Sequence, residues 1–98
     1  MELIFEWDSN KADSNLKKHQ ISFEETKTVF NDPLLLTFPD EYHSETEDRF
    51  ISIGYSYKQL LLLVVHTEQI AEDIILIRII SSRKATPRER KIYEFSTD

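Results

Sequence analysis

The chain has 98 residues, 40% of them hydrophobic and 31% charged, with a formal net charge of −6 and no cysteine. A chain this short supports one small core that buries roughly 60–65% of the unfolded surface, and the missing thiols exclude disulfides, cysteine-based zinc sites and thiol nucleophiles. MELIFEWDSN has no signal-peptide pattern, and the longest apolar run, Leu60–Val65, is too short to cross a bilayer, so a soluble cytoplasmic protein is expected.

Residues 2–7, ELIFEW, read as a short strand. Asp8 is placed to cap a helix running to about His19, with Ala12, Asn15, Leu16 and His19 on one face. A second helix begins at Ser22, where Glu25 completes a capping-box pattern and Phe23, Thr26 and Phe30 form a core-facing stripe. Asn31-Asp32-Pro33 ends it, because the residue before a proline is pushed out of the helical region.

Leu34–Phe38 reads as a short edge strand, and residues 39–48, with five acids and no base, as a solvated loop. Three strands follow, at about 49–56, 60–67 and 73–81. Their spacers, Tyr57-Lys58-Gln59 and Glu68–Glu72, are short enough for hairpins but hold no glycine, asparagine or proline. Leu60–Val65 is apolar without alternation, which places that strand centrally with both faces covered. Thr86-Pro87-Arg88-Glu89 combines an N-cap, proline at the first helical position and glutamate at the third, opening a last helix to about Phe95. The expected fold is a single α+β domain spanning 1–98. It is an antiparallel sheet of three to five strands with two N-terminal helices packed on it and a C-terminal helix.

Charge is unevenly spread. Residues 1–50 hold 5 bases against 12 acids, whereas residues 51–98 hold 7 against 6. Between residues 78 and 91 six basic side chains face one acid, Glu89. The acidic total counts against nucleic-acid binding, but this local reversal is what a phosphate-binding surface requires.

Arg78 stands out within an apolar strand, where Ile74, Leu76, Arg78 and Ile80 share one face and Ile75, Ile77 and Ile79 the other. A guanidinium there must meet a carboxylate such as Glu6 or Asp8, or open onto a cleft and face phosphate. Arg49 opens its strand on a face with Ile51, Ile53 and Tyr55, as a phosphate ligand or as a partner of Asp48. His66 is either a general acid or base or a hydrogen-bonded structural residue; His19 and His43 carry less weight. The grouping of His43, Glu45 and Glu47 reads as loop solvation, and no metal or cofactor is expected. Arg83, Lys84, Arg88, Arg90 and Lys91 form the basic cluster, with Arg88 and Lys91 on one side of the helix and Arg90 pointing elsewhere. A solvated face, RNA phosphate and an acidic protein partner all fit that cluster. Tyr93 packs in the core or stacks on a base.

Several segments in succession resemble the BrnT family of type II toxin–antitoxin systems. They are FEWD at 5–8, KADSNLKKH at 11–19, SFEETKTVFNDP at 22–33, HSETEDRFISIGYS at 43–56, VVHTE at 64–68 and IRIISSRKATPRERKIYE at 77–94. The resemblance implies a RelE-like fold and a ribonuclease that arrests translation. It also implies a BrnA-type antitoxin with a ribbon-helix-helix part, through which alone operator DNA would be reached. By position, the functional suspects are Arg49, His66, Arg78, Arg83 and Glu89, with Lys84, Arg88 and Lys91 as RNA-phosphate or antitoxin contacts. Two departures are Gln20, where the family usually has glycine, and Thr26 in place of alanine. A left-handed Gln20 would cost about 1 kcal/mol. The leading expectation is a metal-independent endoribonuclease acting through the ribose 2′-hydroxyl. The alternative is a catalytically weak or inactive module that works by antitoxin binding and operon autoregulation.

Overall fold

The structure is a computed structural model that describes residues 1–42 and 48–96. The His43, Glu45 and Glu47 grouping lies outside the described residues.

Strand β1 (Glu2–Glu6) leads into helix α1 (Ser9–His19), then α2 (Phe23–Thr26), which continues as a 3-10 segment, Lys27–Asn31. Strands β2 (Leu36–Pro39), β3 (Arg49–Tyr55), β4 (Leu61–Ala71) and β5 (Ile74–Lys84) precede helix α3 (Pro87–Ser96). The caps form as local chemistry dictates. Asp8 accepts from the backbone N–H of Asn10 and Lys11, Ser22 Oγ accepts from Glu25 N, and Thr86 and Glu89 close a reciprocal box. The second helix is shorter than its stripe suggests. Thr26 and Thr28 donate back to the carbonyls of Ser22 and Glu25, at 2.8 and 2.6 Å, and the backbone tightens to 3-10 geometry.

The five strands lie in the order β1-β5-β4-β3-β2. The β2-β3, β3-β4 and β4-β5 pairs are antiparallel, but β1 runs parallel to β5. The sheet is therefore mixed, not antiparallel throughout. Parallel neighbours need a crossover, and here the helical segments and the intervening strands carry the chain from β1 to the opposite edge and back. β4 is central as expected. Leu62 and Val64 enter one core with Ile21, Phe23, Val29, Ile77 and Ile79, while Leu61 and Leu63 enter a second with Ile53 and Tyr93. In α1, Asn15 is buried and Ala12 and His19 half-buried, but Leu16, expected on the same face, remains 49% exposed.

Positions that favour glycine are filled by other residues. Gln20 (φ 60°) closes α1, Gln59 (φ 63°) closes the β3-β4 turn and Glu72 (φ 55°) sits in the β4-β5 turn. Each left-handed residue costs roughly 1–2 kcal/mol, an expense the surrounding pairing offsets. The β4-β5 hairpin is also longer than expected, because the ladder runs on through Glu68, Gln69, Ile70 and Ala71.

Gly54, the chain's one glycine, is buried in β3. A Cβ there would lie 2.8 Å from Leu35 Cδ1 and 3.3 Å from the Val29 carbonyl oxygen. Gly54→Ala is expected to lower stability by about 1–3 kcal/mol through overpacking, measured by urea denaturation. An unchanged midpoint would mean that Leu35 swings aside at no cost.

Candidate nucleic-acid interface

The two faces of the sheet are covered unequally. α1, α2 and the 3-10 segment pack over one, which we call the helix face. On the other, α3 covers the end where Ile53, Leu61, Leu63 and Tyr93 cluster. Tyr93 OH donates to Asp32 Oδ2 at 2.7 Å, and its ring meets Tyr55 edge-on at 5.5 Å. Burial raises the Asp32 carboxyl, but hydrogen bonds from Tyr93, Tyr55 and Leu34 outweigh it and hold the group below its usual range. Burial and the adjacent Asp32 keep the Tyr93 phenol protonated. The expectation that Tyr93 packs in the core fits this placement. Arg90 Nη1 turns aside to donate to Tyr55 OH at 3.0 Å.

Beyond α3 the second face carries one cross-strand row. Arg49 stands opposite Thr67, Thr67 opposite Arg78, and Arg78 opposite Glu6. Directly opposed residues share a face, so four strands bring two guanidiniums, a hydroxyl and a carboxylate into line. A small cavity of about 120 Å³ is lined by Asp8, Lys11, Arg49 and Arg78 together with Ile79 and Ile80. A larger one, about 440 Å³, is lined by Arg78 with Glu6, Asp48, Thr67 and Glu68 among others. Both carboxylates named as internal partners for Arg78, Glu6 and Asp8, thus lie beside it. Arg78 borders both cavities and is exposed.

Arg83 reaches this same face through an irregularity. It lies five positions beyond Arg78, and strict alternation would put the two on opposite sides. The ladder pairs Val65 with Ser81 but His66 with Ile79, which leaves Ile80 as an extra residue in β5. Past that bulge Arg83 pairs with Leu63, two alternations from Thr67, and so faces the same way as Arg78. Arg83 holds Glu89 of α3 in a two-pronged pair at 2.7 and 2.9 Å. The hydrogen bond from Arg83 holds the Glu89 carboxyl below its usual range against the opposing effect of burial, and the same bond raises Arg83. Lys84 ends β5, and Arg88 and Lys91 are exposed on α3.

His66 belongs elsewhere. It sits within β4, not at its end, and its ring lies on the helix face, fully buried, at centroid distances of 5.0 Å from Phe30 and 6.0 Å from Phe50. Nε2 bonds Ser52 Oγ at 2.7 Å, and Ser52 Oγ meets Thr37 Oγ1 at 2.7 Å. Burial lowers its pKa to about 4. The sheet separates His66 from Arg49 and Arg78, and the buried, hydrogen-bonded ring fits the structural one of its two readings. Period-two alternation carries the signal, for Thr67 must face opposite to His66.

Lys11 and Lys18 of α1 were absent from the sequence-derived candidates, yet Lys11 lines the small arginine cavity. Their seven-residue spacing, two helical turns, is the sequence signal that could have found them. Among the described residues no group of three or more His, Cys, Asp or Glu side chains could hold a metal ion, and no helix is long and apolar enough to cross a membrane.

A mixed five-stranded sheet, with α1, α2 and the 3-10 segment on one face and α3 over one end of the other, defines a fold class that other proteins share. The fold is similar to the crystal structure of the Brucella abortus ribonuclease toxin BrnT, with a TM-score of 0.61 and 22% identity, over 88% of this chain and 99% of that one. No curated protein matches the chain. The family described as ribonuclease toxin, BrnT, of type II toxin–antitoxin systems matches residues 7–89, and the chain belongs to that family.

Proposed function

We propose that this ribonuclease toxin is a single-domain, metal-independent endoribonuclease whose cleavage of RNA arrests translation. The observation that carries the reading is the placement of Arg49 and Arg78 on one cross-strand row beside a cavity of about 120 Å³. In this mechanism the ribose 2′-hydroxyl gives its proton to a base and attacks the adjacent phosphorus, the P–O5′ bond breaks as the 2′,3′-cyclic phosphate forms, and the departing 5′-oxygen takes a proton from water. Arg49 and Arg78 grip the phosphate and stabilise the extra negative charge of the phosphorane. Arg83 lies farther along the same face, oriented by Glu89, which balances its charge until a phosphate competes for the guanidinium. Of the two proton-transfer candidates only Glu89 lies on the cleft side. Held ionised by Arg83, it can accept a proton but not donate one at neutral pH, and the same bond makes it a weaker base than a free carboxylate.

Purified protein mixed with an end-labelled RNA in the presence of EDTA tests this directly. Fragments ending in a 2′,3′-cyclic phosphate are expected. Cleavage abolished by EDTA would refute metal independence, and intact RNA with folded protein would refute catalysis itself.

The antitoxin we propose is BrnA-like, with a ribbon-helix-helix part that alone contacts operator DNA. The exposed side of α3 supports a docking role, since Arg88 and Lys91 flank Ile92 and Phe95, which are 45% and 76% exposed. Should the protein prove catalytically inert, that helix carries the second reading, a module acting through antitoxin binding and operon autoregulation.

A further inference from the structure

We infer that the groove between α1 and β5 is a second phosphate-binding track, along which the RNA strand runs away from the arginine cavity. This inference rests on the ribonuclease reading and names the path its substrate takes. Three cavities are chained by shared side chains. Lys11 lines both the arginine cavity and a groove of about 310 Å³ that also holds Ser14, Lys18 and Ser81. Lys18 in turn lines both that groove and a further cavity of about 430 Å³ with Arg83 and Lys84. Among the described residues no acid lines either of these last two.

Helix geometry produces the track. Lys11 and Lys18 are seven residues apart, so they point within about 20° of one another and lie about 10 Å apart along the axis. Asp13 points about 200° away from Lys11 around the same helix, so the acid of α1 turns its charge from the groove. Asn15 fixes α1 in place. Its Nδ2 donates to the Ile21 and Ser82 carbonyls at 3.0 and 2.9 Å, and its Oδ1 accepts from Ser82 N at 3.0 Å. The groove's walls are therefore tied to the sheet. Evenly placed ammonium groups between serine hydroxyls match a phosphate backbone, which proteins contact through lysine, arginine and small hydroxyl side chains. Among the described residues Ile80 is the one aliphatic side chain lining the groove, less than the desolvated apolar centre that a protein partner requires.

The test is the salt dependence of binding by the full chain. The probe is a fluorescein-labelled 2′-O-methyl oligoribonucleotide of mixed sequence, which lacks the attacking hydroxyl, titrated by anisotropy over a series of KCl concentrations. For the double variant Lys11→Gln/Lys18→Gln, the slope of log affinity against log salt is expected to flatten by about 1.4, from roughly 0.7 per lost single-strand phosphate contact. Lys27→Gln, on the 3-10 segment and paired with Glu24 at 3.0 Å, should keep the wild-type slope. An unchanged slope in the double variant, or an equal change in Lys27→Gln, overturns the track and leaves the ribonuclease reading standing. A wild-type protein that neither binds this probe nor cleaves RNA overturns both. Wild-type RNA binding by the double variant, with weakened binding to its co-expressed antitoxin, would make the groove a protein-docking surface and also overturn the track.

Discussion

RNA cleavage by the Arg78→Ala protein is expected to fall about 10²–10³-fold, the usual consequence of removing one donor from a preorganised anion site. Arg78 is exposed at the junction of two cavities, so its loss leaves no void in either core. The thermal midpoint should therefore stay close to wild type, which separates lost chemistry from lost folding. Arg78→Lys should recover only part of the rate, because an ammonium cannot grip two phosphate oxygens as a planar guanidinium does. Arg49→Ala should resemble Arg78→Ala, and the double variant should lose less than the product of the two, since both act on one phosphate. Wild-type turnover by a folded Arg78→Ala protein would remove Arg78 from the mechanism and leave its neighbours Glu6 and Asp8 as the reason for its presence.

The second large effect concerns acid. His66 is buried beside two phenylalanines, with a folded pKa of about 4 against an ordinary value of 6.5. Between those values the unfolded chain binds a proton that the folded protein refuses, so stability rises with pH. The contribution is complete above pH 6.5 and is lost as pH falls toward 4. At 1.36 kcal/mol per pH unit it amounts to about 3 kcal/mol, a large share of the 5–15 kcal/mol typical of a small domain. Glu68, whose Oε1 lies 3.9 Å from His66 Nδ1, is raised by burial and offsets part of the loss as it protonates. Asp32 and Glu89 are lowered, so their contribution disappears only at still lower pH. Urea midpoints measured from pH 7 to pH 4.5, together with an NMR titration of the imidazole, test this. A His66 ring that titrates near pH 6.5 in the folded protein would show that water reaches it and that the burial argument is wrong.

Sequence and tertiary structure divide this protein along a physical line. Caps, breakers and alternation act within a few residues, and these are what the chain by itself determined. Asp8, the Ser22–Glu25 pattern and the Thr86–Glu89 box set the helix starts, and Leu60–Val65 announced a strand buried on both sides. The family, too, was legible in the succession of segments from FEWD to IRIISSRKATPRERKIYE. Pairing and register join residues far apart in the chain, and no local preference decides them. The parallel alignment of β1 with β5, which sets Glu6 across from Arg78, exists only in the assembled sheet. The same is true of the Ile80 bulge that turns Arg83 onto the face of Arg78, and of the seating of α1 by Asn15 that brings Lys11 to the arginine cavity and Lys18 to the adjoining groove. His66 shows the division within one residue. Its alternation with Thr67 was readable from the strand, but which face the helices would cover, and so which of the two would join the arginine row, was settled by packing alone.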